Sequence, residues 1–190
     1  MASFTIGVIV GSNRKGSINQ QLADGLAKLS GPDFEFKRIE IGDLPMFSQD
    51  LEEPEPASVE RFRKEIRTSD GLLFVTPEYN RNTTPLLLNA LTWGSRPYGQ
   101  NSFTGKPAAI AGTSQGPIAT AAGQSALRNL LGVLDVRLIG QPEAYVRYTD
   151  ELFGSDGRIA DEREHAALEK KMMKFTEWVA VVAGAKKAAA

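Results

Sequence analysis

Phe4-Thr-Ile-Gly-Val-Ile-Val10 runs directly into Gly11-Ser-Asn-Arg-Lys-Gly-Ser-Ile-Asn19. The first part is a short, nearly continuous apolar run, rich in β-branched residues, and it predicts a buried strand. The second part is small, polar and cationic. It leads into Ile18, Leu22, Leu26 and Leu29, which recur at helical spacing. A helix over Ser17–Leu29 follows, with Ser17 at its N-cap. A strand that ends in such a loop and opens a helix builds a cradle for an anion. The first amides of a helix lack intrahelical partners, and the helix dipole favours negative charge there. Ser12, Ser17 and Asn19 can add donors, and the Arg14 fork matches a phosphate.

The same alternation continues outward. Gly31-Pro32-Asp33 ends the first helix, and Phe34–Ile41 reads as a second strand. A long proline-containing connection spans Gly42–Pro56, and Val59, Phe62 and Ile66 mark a helix face. Leu72–Val75 is an apolar strand, and a helix is expected over Pro85–Trp93. Ala108–Gly112 is the fourth strand, followed by a helix to Leu134. Val136–Ile139 opens a fifth strand. Leu168, Met172, Phe175, Val179 and Val182 share one face of a closing helix. Neither an internal repeat nor a domain linker is visible, so residues 1–184 read as one domain and 185–190 as a frayed tail. Five strand–helix alternations predict an α/β fold, a doubly wound five-stranded parallel sheet with helices on both faces. Ligands in such sheets sit beyond the carboxyl ends of the strands. Three loops leave those ends, at residues 11–17, 76–84 and 113–117, and all three are rich in small polar residues.

Composition narrows the chemistry. The 190 residues carry 22 basic and 23 acidic side chains, so no overall field points to nucleic acid or to an anionic membrane. The absence of cysteine excludes disulfides, thiolate metal sites and a cysteine nucleophile. The one histidine, His165, falls in a charged stretch and reads as a solvated helix position, which leaves no histidine-based triad or metal centre. No apolar run approaches the roughly 18 residues of a spanning helix. Met1-Ala-Ser-Phe enters the first strand without a signal core, and a cytoplasmic location is expected.

The first loop is neither of the common nucleotide fingerprints. Gly16 is followed by Ser17, not by the Lys-Ser/Thr of a P-loop, and the second glycine of Gly-x-Gly-x-x-Gly is missing. A terminal monophosphate without a metal fits it. In the second loop, Thr76-Pro-Glu-Tyr-Asn80, Tyr79 supplies an aromatic face, and Asn80 and backbone amides can meet the edge of a flat heterocycle. The third, Thr113-Ser-Gln-Gly-Pro117, lets a ring lie close to the backbone.

These features together resemble a known family. Gly-Ser-x-Arg-x-x-Ser-x-Asn after the first strand, Leu44-Pro-Met-Phe47, Thr76-Pro-Glu-Tyr-Asn80, and Gly105-Lys-Pro before a strand ending Gly112-Thr-Ser look like the NADPH-dependent FMN reductases. The resemblance runs from about residue 5 to residue 147 and is nearest to the chromate, quinone and ferric reductase-like branch. It implies a flavodoxin-like fold, bound FMN, and NAD(P)H as co-substrate. Electrons would pass through FMN to small-molecule acceptors: quinones, flavins, chromate or ferric ions, or azo compounds. It implies FMN contacts from Ser12, Arg14, Ser17, Ile18 and Asn19 at the phosphate, and from Pro77, Glu78, Tyr79 and Asn80 beside the ring. Ser114, Gln115 and Gly116 would close the ring's other edge. It also implies a homodimer, or a homotetramer. Hydride transfer straight to a flavin ring needs no essential protein acid or base, and Glu78, the one carboxylate in the three loops, reads as an orienting group. Arg81 and Arg96 are candidates for the extra phosphate of NADPH. The chain departs from the family pattern at Leu86, Leu88 and Thr92, where a glycine, a lysine and an aspartate are usual. A flavodoxin-like electron carrier or a flavin-dependent sensor would share the fold. Carriers are markedly acidic, and this near-neutral chain reads instead as an enzyme.

Overall fold

The computed structural model describes residues 4–188. Strand β1 (Phe4–Val10) lies in a parallel sheet between β2 (Phe34–Arg38) and β3 (Gly71–Val75). Next come β4 (Pro107–Ser114) and the short β5 (Arg137–Leu138), in the order β2-β1-β3-β4-β5. A further three-residue strand, β6 (Tyr145–Arg147), also pairs with β4, in parallel. β5 takes Pro107 and Ala108, whereas β6 takes Gly112 to Ser114. The fifth position of the sheet is thus one strand interrupted by residues 139–144, and the second half of it is not apparent from the sequence.

The helices are α1 (Ile18–Lys28), α2 (Ala57–Thr68), α3 (Pro85–Gly94), α4 (Ala121–Val133) and α5 (Glu162–Ala188). They cover both faces because successive strand side chains point to opposite sides. Ile6, Val8 and Val10 of β1, with Leu73 and Val75 of β3, meet Leu22 and Leu26 of α1 and Leu168, Met172 and Phe175 of α5. Ile9, Leu72 and Phe74 meet the other layer, through Val59, Phe62 and Ile66 of α2, Leu87 and Leu91 of α3, and Leu127 and Leu131 of α4. The sheet is therefore buried on both sides, as the continuous apolar runs require.

Several boundaries differ from the sequence reading for local reasons. β2 ends at Arg38, but Ile39 and Ile41 stay buried beneath the long connection. β4 continues through Thr113 and Ser114, because β6 gives them a neighbour. α5 continues to Ala188, so the segment from residue 185 begins as helix; residues 189–190 lie outside the described residues. His165 sits near the start of α5 and is half-buried.

Candidate active site

The three loops are tied into one edge of the sheet. Gly11 N–H donates to Val75 O at 2.8 Å, joining the first loop to the end of β3. The Thr84 hydroxyl donates to Gly11 O at 2.8 Å and accepts from Leu87 N–H at 3.2 Å. One side chain thus caps α3 and holds the first loop against the second. Thr-Pro just before an apolar helical stretch is an N-cap and N1 signature, and it is the sequence signal for this role. Gly112 permits the closest approach between loops: a Cβ there would lie 2.3 Å from Thr76 O.

In the first loop Gly16 has φ +66°, and no atom lies within 4 Å of where its Cβ would be. Ser17 occupies the N-cap position of α1 with extended backbone, yet its hydroxyl makes no capping bond. The first turn of α1 holds no acidic residue. The amides of Ile18 and Asn19 belong to this turn, where no intrahelical acceptor exists. Ser12 is half-buried, and its carbonyl accepts from Gln20 Nε2 at 3.0 Å. Arg14 is exposed and lies back on its own loop, donating to Gly16 O at 3.1 Å. Asn19 differs from the expected free donor, because both ends of its side-chain amide engage the Thr113 backbone.

The second loop folds as a tight hairpin. Tyr79 and Asn82 exchange backbone hydrogen bonds of 3.0 and 2.9 Å around Asn80 and Arg81, at φ 51° and 63°. Two successive positive φ values define a type I′ turn. Pro77 is buried at the root of the hairpin, while Tyr79 and Asn80 are exposed. Glu78 turns inward, its side chain only 8% exposed. Its Oε2 accepts from Gly123 N–H at 2.9 Å, in the first turn of α4, and its Oε1 pairs with Arg81 at 3.2 Å. In the third loop the Ser114 hydroxyl donates to Ala119 O, holding the turn; Gln115 is exposed and Gly116 half-buried.

The helix starts at this edge are thus not equivalent. α4 is filled by the Glu78 carboxylate, and α3 is capped by Thr84 with Pro85 at its first position. α1 has neither a side-chain cap nor an acid. An incoming phosphate would find unpaired amides there, beside Ser17, Ser12 and Arg14. Those residues fit a terminal phosphate, and the exposed Tyr79 and the small third loop fit a flat ring.

The Leu44-Pro-Met-Phe47 motif is clamped by α3. Asn89 Nδ2 and Trp93 Nε1 both donate to Pro45 O, at 2.9 and 2.8 Å, and Asn89 Oδ1 accepts from Phe47 N–H at 2.8 Å. Arg96 lies 5.3 Å from the centre of the Phe47 ring. Neither arginine singled out for the NADPH phosphate is bare, since Arg81 pairs with Glu78 and Arg96 stacks on Phe47. Of the unusual positions, Leu88 is partly exposed on α3, and Thr92 donates back to Leu88 O at 2.9 Å. A separate groove of about 420 Å³ lies between β5 and α5, lined by Ile139, Lys174 and Trp178, and none of the three loops contributes to it.

Strand order and loops are those of a flavodoxin-like α/β protein, a class that binds its ligands beyond the carboxyl ends of the strands. Residues 4–151 match the family model of the NADPH-dependent FMN reductases, and the chain belongs to that family. It is 45% identical over 177 residues to a 2-hydroxy-1,4-benzoquinone reductase of a Burkholderia species, covering 93% of this chain and 97% of that one. It is 41% identical to a quinone reductase of Pseudomonas putida, covering 93% and 95%. Among solved structures it is similar to FerB, a flavoenzyme NAD(P)H:(acceptor) oxidoreductase from Paracoccus denitrificans. The TM-score is 0.91 and the identity 41%, over 94% of this chain and 98% of that chain. The protein is thus an FMN-dependent oxidoreductase that uses NAD(P)H.

Proposed function

We propose that this enzyme transfers electrons from NAD(P)H to quinones, with flavins, chromate or ferric ions and azo compounds as further acceptors. The observation that carries the placement of FMN is the open N-terminus of α1, the one start among α1, α3 and α4 with neither a cap nor a carboxylate. There Ser12, Arg14, Ser17 and the amides of Ile18 and Asn19 would hold the phosphate. Pro77, Glu78, Tyr79 and Asn80 would flank the ring, and Ser114, Gln115 and Gly116 would bound its other edge. Bound FMN supplies the hydride-accepting ring and the electrons for the acceptor. The protein's part is to hold that ring, orient both substrates and exclude water. Quinones come first among acceptors because two relatives that cover nearly the whole chain are quinone reductases.

Glu78 serves as an orienting group in this reading, since both its oxygens are already engaged. The working unit is a homodimer in the cytoplasm, with a homotetramer as the larger option. Leu88 on α3, Met46 and Tyr98 are exposed apolar residues on or near the α3 side, with Met46 73% and Tyr98 93% exposed. They suit a subunit contact, and light scattering at micromolar concentration reads it directly; a monomer there removes it.

The purified protein is expected to be yellow, to release FMN rather than FAD on denaturation, and to oxidise NADPH when a benzoquinone is added. Colourless protein that takes up no FMN overturns the placement. Bound FMN with no NAD(P)H oxidation favours the electron carrier.

A further inference from the structure

Asn19 stands in the first turn of α1 and is 2% exposed. Its side chain reaches a single residue 94 positions away. Nδ2 donates to Thr113 O at 2.9 Å, and Oδ1 accepts from Thr113 N–H at 3.0 Å. The amide therefore pairs with the main chain of β4 as a neighbouring strand would. The place needs one. β3 reaches only as far as Ala111, whose carbonyl accepts from Thr76 N–H, and beyond it β4 has lost that neighbour. β6 covers the opposite side, with Val146 in register with Thr113. Asn19 closes the side left open. If its side chain withdrew, a buried donor and a buried acceptor of Thr113 would both be unpaired.

The position of this pair gives it a role. The amide of Asn19 belongs to the helix turn that faces the phosphate seat. Thr113 leads directly into Ser114, Gln115 and Gly116 at the ring edge. One short side chain, fixed at both polar atoms, spans the two. We propose that Asn19 is a positioning residue that couples the phosphate seat to the third loop, acting through Thr113 and not as a side-chain ligand of the phosphate. The inference rests on the flavin placement above.

The test uses the full-length protein, stripped of flavin and titrated with FMN and with riboflavin, which lacks the phosphate. Asn19→Ala is expected to weaken both by a similar factor of about tenfold or more, the size expected for losing such a buried pair. Visible circular dichroism of bound FMN, which reports the ring's surroundings, is expected to change as well. Arg14→Ala, a phosphate-side control, is expected to weaken FMN by about 5- to 150-fold, with little effect on riboflavin or on the dichroism. A loss confined to FMN in Asn19→Ala would make Asn19 a phosphate ligand and overturn the inference. Unchanged affinity for both flavins would overturn it too. If Asn19→Ala does not fold, Asn19→Asp decides. It keeps an acceptor for Thr113 N–H but loses the donor to Thr113 O, so equal losses for both flavins support coupling. A loss for FMN alone shows a charge facing the phosphate. Wild-type protein that takes up neither flavin overturns the placement itself, and the inference with it.

Discussion

Glu78 shows how little acid–base chemistry the proposed site residues offer. One oxygen holds Gly123 N–H and the other holds Arg81, so the carboxylate is spent on joining the second loop to α4. Glutamine at this position keeps an acceptor for Gly123 but gives up the charge that favours a helix N-terminus, a term of about 0.3–1 kcal/mol. Glu78→Gln is therefore expected to retain kcat within about tenfold, roughly 1.4 kcal/mol of barrier. Its melting temperature should fall slightly. A thousandfold loss of kcat with FMN still bound would show a proton-transfer role that this geometry does not suggest.

At the scale of elements, helix starts and the broken strand set the design. Thr84 has two tasks, since its hydroxyl caps α3 and donates to Gly11 O. Thr84→Ala is expected to cost about 1–2 kcal/mol, read from the urea midpoint. A change under about 0.3 kcal/mol would mean that solvent replaces the cap. The break in the fifth strand is held from below by Lys171 of α5, which is fully buried and donates to Pro142 O at 2.7 Å. Burial, with the like charge of Arg128 beside it, lowers its pKa from 10.5 to about 8, and Glu143 opposes the shift. Between these values the unfolded chain binds more protons than the folded one at this site. The cost of the buried charge is thus fully present below pH 8 and is relieved as pH rises toward 10.5. Tyr145, raised above its ordinary value of 10 by burial and by Glu143, acts in the opposite direction at higher pH. Lys171→Met is therefore expected to flatten the rise in stability between pH 8 and 10 in urea titrations. An unchanged slope would assign that rise to another group. This region also marks where the sequence stops being readable. β1, the first loop and α1 were legible because a seven-residue apolar run and a four-point helical stripe are strong periodic signals. β6 has three residues and one buried side chain, Val146, too few for any period. Asn19 was legible as a polar residue near a helix start, but its partner lies 94 residues on, and no local pattern reveals that. Ser17 was legible as a helix boundary, though not as a hydroxyl left without a capping bond.

Across the whole molecule, three loops leave one edge of the sheet, and in the proposed site between them the two substrates are expected to share one open face in turn. NAD(P)H and quinone should then give parallel double-reciprocal lines, because the oxidised nicotinamide must leave before the quinone docks. Intersecting lines would show both bound together. The outer rims of the sheet have a different consequence. On one side the edge strand is broken into β5, of two residues, and β6, of three, and Leu138 N–H is already taken by Val136 O at 3.1 Å. On the other, β2 has five residues and carries Glu35, Lys37 and Arg38. A stray strand from another molecule would find few free backbone groups on the first rim and charged side chains along the second. The protein should therefore remain dispersed at high concentration, and crowding of newly made chains should not recruit them into fibrils through this sheet.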